Sequence, residues 1–143
     1  NVERGRFISM IYAVVDLENK LIRIARPGHN PVIYHDSEGK LNLISPNGLA
    51  LGLEKGDLFS KVITESVEKL ESGKTFIFYT DGFTEAVNRK GDEYGLDRMV
   101  EIVRSWNYST ASEIKDKMIA DVNKFIGKAQ QHDDMTMVIL KIN

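Results

Sequence analysis

The chain has 143 residues, 42% hydrophobic and 28% charged, which is ordinary globular usage; it excludes disorder, and the length suits one domain spanning residues 1–143. A formal net charge of −2, with scattered Lys and Arg, removes the electrostatic case for nucleic acid or an anionic membrane surface. Cysteine is absent, which excludes disulfides, thiolate metal sites and cysteine nucleophiles.

Residues 8–16 (Ile-Ser-Met-Ile-Tyr-Ala-Val-Val-Asp) read as a buried strand, being rich in β-branched and aromatic side chains. A polar turn follows, and Leu21-Ile22-Arg23-Ile24-Ala25 alternates as a returning strand. Pro27-Gly28-His29-Asn30-Pro31 is a sharp break before a short strand, Val32-Ile33-Tyr34-His35. Asp36-Ser37-Glu38-Gly39-Lys40 is a hairpin turn, and Leu41-Asn42-Leu43-Ile44 pairs back. Residues 45–57 hold Pro46, Gly48, Gly52 and Gly56 and read as a loose segment, with Gly48-Leu49-Ala50-Leu51-Gly52 as a flexible flap. That stretch lacks the pattern of a phosphate-binding loop.

Residues 58–64 are expected to form a further strand and residues 68–74 a polar turn. The turn leads into the apolar strand Thr75-Phe76-Ile77-Phe78-Tyr79. Leu96, Met99, Val100 and Val103 recur at helical spacing, with Trp106 near the end of that helix. Thr110-Ala111-Ser112-Glu113 matches a capping box and starts a helix with Ile114, Met118, Val122, Phe125 and Ile126 on one face; Gly127 ends it. Residues 135–142 are almost continuously apolar and are expected to form a central strand. Antiparallel strands first, then two helices and a last strand make an α+β arrangement with helices packed over sheet.

Two acidic stretches carry the chemistry. Tyr79-Thr80-Asp81-Gly82 closes one buried strand and His132-Asp133-Asp134-Met135-Thr136 opens another. If those strands lie antiparallel and adjacent, both carboxylates fall at one sheet edge. Such an oxygen-rich edge suits Mg²⁺ or Mn²⁺, able to activate water and neutralise phosphate oxygens. Alone, Asp-Gly is a turn and Asp-Asp a solvated loop. Gly82 allows either a close backbone approach or a positive φ. Successive strand side chains face opposite ways, so only one of Asp133 and Asp134 points into a site there. Glu85 reads as surface or as a supporting carboxylate. His29 reads as a ligand or donor at the site, or as the brace of its own turn, with Asn30 beside it. His35 and His132 share no metal-type spacing with it, which leaves a histidine zinc site unsupported.

The order of motifs resembles the SpoIIE-type serine/threonine phosphatases, bacterial relatives of the metal-dependent type-2C (PPM) protein phosphatases. The residues that carry the likeness are Arg26-Pro27-Gly28-His29-Asn30-Pro31, Leu51-Gly52-Leu53, residues 78–86 (Phe-Tyr-Thr-Asp-Gly-Phe-Thr-Glu-Ala), Tyr94-Gly95-Leu96 and Asp133-Asp134-Met135-Thr136. The resemblance implies an antiparallel β-sandwich flanked by helices, with a two-metal Mn²⁺/Mg²⁺ site at one end. It implies that Asp81 and Asp133 are the catalytic metal ligands, with the backbone of Gly82 beside them; Asp134 falls where relatives often carry Asn. His29 falls where the wider type-2C family tends to have an acidic residue.

The activity so implied is dephosphorylation of phosphoserine or phosphothreonine by metal-activated water, without a covalent phosphoenzyme. Its substrate would be a small regulatory protein of the anti-sigma-factor-antagonist (STAS) class, and a sensor or receiver domain often precedes the catalytic domain. The family's Gly-Asp-x-x-Asp strand, source of the bridging aspartate, has no counterpart here, so the chain reads as the back part of a catalytic domain. It begins Asn1-Val2-Glu3-Arg4, without Met, which reads as excision from a longer protein. With neither signal peptide nor bilayer-length apolar run, the expected location is cytoplasmic, without membrane contact. The isolated chain is expected to bind metal weakly, to lack activity and to self-associate. The competing reading is a non-catalytic phosphatase-like module that binds a regulatory protein.

Overall fold

The computed structural model describes residues 6–54, 56–104, 109–130 and 133–143. In chain order the elements begin with β1 (Tyr12–Asp16), β2 (Leu21–Ala25), β3 (Val32–His35), β4 (Leu41–Ile44) and α1 (Leu58–Val62). They continue with β5 (Glu65–Lys69), β6 (Thr75–Tyr79), α2 (Asp81–Thr84), α3 (Leu96–Arg104), α4 (Ala111–Ile126) and β7 (Met137–Lys141). The class is α+β with two antiparallel sheets. The chain divides into two compact units, residues 1–31 with 43–71 and residues 32–42 with 72–143.

The first unit is built on a three-stranded sheet in the order β1-β2-β5. Arg23 sits between Val14 on one neighbour and Val67 on the other, and its guanidinium pairs with Glu65 at 2.8 Å. Ile22 and Ile24 are fully buried, as the alternation of β2 predicts. The strand expected over residues 8–16 is shorter, and its side chains are largely exposed rather than buried. The reason is position: β1 is an edge that pairs on one side only, and Ile8 makes an isolated bridge to Leu51.

That bridge also corrects the flexible flap. Ile8 and Leu51 exchange two backbone hydrogen bonds of 2.8 Å, and the Gly28 amide donates to the Gly48 carbonyl at 3.2 Å. A Cβ on Gly28, already at φ +68°, would lie 2.7 Å from the Ala50 amide nitrogen; the two segments meet because no side chain intervenes. Residues 58–64 form helix α1 and not a strand. Leu58, Phe59, Val62 and Ile63 recur at i, i+1, i+4 and i+5, a helical pattern too short to stand out. The strand lies just further on: β5 alternates exposed and half-buried along Glu65-Ser66-Val67-Glu68-Lys69 and takes the first two residues of the turn expected over 68–74, which itself falls at residues 72–73.

The four-stranded sheet has the order β4-β3-β6-β7; β3, β6 and β7 belong to the second unit, and β4 ends beyond that unit's boundary at residue 42. The strand expected to be central, β7, is therefore at the edge, and Val138 is 58% exposed. The central strands are β3 and β6, nearly wholly buried. One core cluster joins Ile33, Ile77 and Tyr79 of the sheet to Met99 and Val103 of α3 and to Ile114, Met118 and Val122 of α4.

The capping box of α4 is formed. Thr110 Oγ1 accepts from the Glu113 amide at 3.2 Å, and the Glu113 carboxylate accepts from the Thr110 amide at 2.7 Å. Gly127 ends the helix at φ +60°. Trp106, expected near the end of α3, lies outside the described residues. Among the described residues, no helix is long and apolar enough to cross a membrane.

Candidate metal-binding junction

Antiparallel pairing of β6 with β7 sets Tyr79 opposite Met137 and brings the two acidic stretches to one end of one strand pair. Beyond the ladder the pairing continues through side chain and backbone. The Thr80 amide donates to the Thr136 carbonyl at 3.0 Å. Thr80 Oγ1 accepts from the Thr136 amide at 3.0 Å and donates to the Asp134 carbonyl at 3.2 Å. Thr80 thus stitches the residue before Asp81 to the residues after Asp133. Sequence reasoning passed it over; the one cue was a hydroxyl between an apolar strand and an aspartate.

Asp81 does not sit in a plain turn. It opens α2, its carbonyl accepting from the Glu85 amide at 2.8 Å and from Thr84 Oγ1 at 3.1 Å. Gly82 takes the close approach and not the positive φ: a Cβ there would collide with the Asp134 carbonyl oxygen. Asp81 is half-buried, whereas Asp133 and Asp134 are exposed. The Asp134 amide donates to Asp133 Oδ1 at 2.8 Å.

The two aspartates separate into different hollows. Asp133 lines a small cavity of about 60 Å³ with Gly82, Glu85 and Gln130. Asp134 lines a separate, wider groove with Lys115 and Asn123 of α4. Glu85, read as surface or support, is exposed yet faces the Asp133 cavity. Gln130, also in that cavity, carried no signal in the sequence.

Carboxylate and carbonyl oxygens give the junction the donor chemistry of a hard divalent cation. Among the described residues, however, no group of three or more His, Cys, Asp or Glu side chains is placed to hold a metal ion.

His29 and Asn30 belong to the first unit, whereas Asp81 and Asp133 belong to the second. The half-buried His29 ring lies 3.1 Å from Ser9 Oγ through Nδ1, and the His29 carbonyl accepts from the Arg26 guanidinium. Both contacts tie down the turn between β2 and β3. His132 lies outside the described residues.

Behind the junction, the hairpin after α2 is locked to the helices. The Tyr94 amide donates to the Ala86 carbonyl at 2.8 Å and the Gly95 amide to the Thr84 carbonyl at 2.9 Å. Buried Tyr94 donates its hydroxyl to Asp121 Oδ2 at 2.8 Å. Burial, then the Asp121 carboxylate, pushes the phenol pKa up. Arg98 Nε also donates to Asp121, and its guanidinium stacks over Tyr94 and Phe125. Partial burial raises the Asp121 pKa, but the Arg98 and Tyr94 hydrogen bonds outweigh it and hold the carboxyl below its ordinary value.

The α+β arrangement with two antiparallel sheets is a fold also found in PP2C-type phosphatase domains. The chain is similar to the SiaA-PP2C domain of Pseudomonas aeruginosa, with a TM-score of 0.79, 19% identity, and coverage of 94% of this chain and 52% of that one. The phosphatase domain of SpoIIE from Bacillus subtilis, in a structure presoaked with Mn, matches at a TM-score of 0.67 and 17% identity over 94% of this chain and 56% of that one. The model of the family described as stage II sporulation protein E (SpoIIE) matches residues 1–143. The chain belongs to the SpoIIE family.

Among curated relatives, protein IcfG of Synechocystis is 29% identical over 99% of this chain and 22% of its own length. The phosphoserine phosphatase RsbU of Bacillus subtilis is 28% identical over 99% of this chain and 41% of its own length. The chain therefore spans less than half the length of these two relatives.

Proposed function

We propose that residues 1–143 form part of the catalytic domain of a metal-dependent protein serine/threonine phosphatase acting on a phosphorylated regulatory protein. The observation that carries this reading is the β6–β7 pairing, which brings Asp81 and Asp133 to one end of one strand pair. In this reading both carboxylates are ligands of Mn²⁺ or Mg²⁺, and the remaining ligands come from outside the described residues. When bound, the metal supplies charge neutralisation for the phosphoryl oxygens and an acidified water. Thr80 and the Gly82–Asp134 contact hold the two carboxylates in register, and Asp134 stands aside in its own groove.

The proposed substrate is a phosphoserine or phosphothreonine of a STAS-type anti-sigma-factor antagonist, in keeping with relatives such as RsbU, named a phosphoserine phosphatase. The proposed setting is the cytoplasm, with a sensor or receiver domain in the same polypeptide. The deciding experiment incubates the complete polypeptide with a phosphorylated STAS-type protein and Mn²⁺ and follows phosphate release. Turnover abolished by chelation and by Asp81→Asn supports the reading; turnover indifferent to both overturns it.

A second reading, a phosphatase-like module that docks a regulatory protein without catalysis, has one observation in its favour. Among the described residues no group of three or more His, Cys, Asp or Glu side chains is placed to hold a metal ion. Tight binding of the phosphorylated protein by the complete polypeptide, with no phosphate released at any Mn²⁺ concentration, selects it.

A further inference from the structure

Two elements distant in sequence place three cations on one groove. The hairpin after α2 is a rigid turn: Asn88 Oδ1 accepts from the Lys90 and Asp92 amides at 2.8 and 3.1 Å, and Gly91 takes φ +86°. Arg89 and Lys90 project from its tip. The end of α4 and the turn after it contribute Phe125, Ile126 and Lys128. Together they line a groove of about 370 Å³. All three cations are exposed, and none makes an ion pair among the described residues. The hairpin carboxylate Asp92 accepts from the Asn88 side-chain amide at 2.9 Å and forms no ion pair with the three cations.

Lys128 alone has a plain explanation, since a cation just past a helix C-terminus complements the helix dipole. Arg89 and Lys90 sit on another element and have no such reason to share the groove. The groove also adjoins the candidate metal junction: Ile126 lines both it and the Asp133 cavity, and Val87 of that cavity precedes Asn88. A peptide whose phosphorylated residue meets Asp133 would therefore have the three cations in the neighbouring hollow, across Ile126.

We infer that this groove reads acidic residues flanking the phosphorylated residue of the protein substrate, with Arg89, Lys90 and Lys128 as specificity-determining contacts. The inference rests on the phosphatase reading above and adds to it the sequence class of the substrate. Uncompensated cations at the rim of a site act through long-range attraction, so recognition is faster and strongly salt-dependent. Each exposed pair weighs roughly two- to three-fold, so three together weigh about tenfold.

The test uses the complete polypeptide and two fluorescein-labelled phosphoserine peptides, one flanked by Asp and Glu, the other by Ser and Ala. Anisotropy is expected to show about tenfold tighter binding of the acidic peptide at low salt. The advantage should vanish in Arg89→Gln/Lys90→Gln/Lys128→Gln, while Mn²⁺-dependent hydrolysis of p-nitrophenyl phosphate stays unchanged. A single Lys128→Gln variant, expected to lose about a third of the logarithmic effect, guards against misfolding of the triple variant. Equal binding of the two peptides, or a preference that survives the triple variant, overturns the inference. So does loss of binding to phosphatidylserine vesicles, and not to peptides, in that variant. Failure of the phosphatase reading is seen separately, as absence of p-nitrophenyl phosphate hydrolysis by the unaltered protein; the binding comparison decides the groove regardless.

Discussion

Asp133 and Asp134 are chemically identical neighbours that the fold sends into different hollows, so their substitutions should part company. In the complete polypeptide, Asp133→Asn is expected to cut Mn²⁺-dependent turnover by more than the roughly 10–100-fold typical of residues that only support a ligand. Asp134→Asn should cost less than tenfold, because Asp134 lines the groove of Lys115 and Asn123 and not the cavity that Asp133 shares with Glu85 and Gln130. Steady-state kinetics of the pair checks the order, and the opposite ranking would make Asp134 the ligand. Gly82→Ala tests the junction from its other side. The new methyl would meet the Asp134 carbonyl, a backbone atom that cannot rotate away. A cost of about 1–3 kcal/mol in urea unfolding is expected, together with weakened Mn²⁺ binding by calorimetry, since the Asp133 segment must shift to make room.

Asp121 of α4 joins Arg98 of α3 and Tyr94 just before it in one polar cluster. Tyr94→Phe removes one donor but leaves Asp121 paired with Arg98, so a loss of only about 1 kcal/mol in thermal or urea unfolding is expected. Asp121→Ala strips partners from both a buried phenol and a stacked guanidinium and should cost more. The elements themselves were unevenly legible. Strands β2, β3, β4 and β6 stood out because β-branched or aromatic runs end in Pro, Gly and Asp turns, and α4 because its capping box and apolar face agree. Helix α1 escaped because five residues cannot show a period. Strand β5 escaped because Val67 is its only large apolar side chain and is itself exposed. Strand β7 was misplaced to the centre because apolar character reports burial demand and not pairing order. The aspartates were legible as residue types at strand ends, but their meeting depends on which strand lies beside β6. That is a contact between residues more than fifty positions apart, and no local pattern encodes it.

Stability of the whole molecule should carry a mark of His35. Its ring is 1% exposed and neither nitrogen has a hydrogen-bond partner among the described residues. Burial, then the nearby Lys141 cation, lowers its pKa from 6.5, with Asp36 opposing. Below about pH 6.5 the unfolded chain takes up a proton that the folded chain refuses, so stability falls with pH by up to about 1.4 kcal/mol per unit from this residue. Urea midpoints between pH 5 and 8 should show that slope, and His35→Leu should flatten it. The 143-residue chain also exposes the apolar edge strand β1, with Tyr12 60% and Val14 42% accessible, a surface that invites pairing with a second copy. Self-association is expected in sedimentation velocity, and Val14→Lys should shift the population toward monomer.

The edge position of β7 has a different consequence. An outer strand is held by one ladder and, through Met137 and Ile139, by the core, so the two acidic ends can separate by a local opening that loosens this packing at a free energy below that of global unfolding. The amides of Thr80 and Thr136, which bridge that seam, would then exchange with deuterium sooner than the amide of Ile77 at the sheet centre. A bound cation that bridges the seam would slow those two amides selectively.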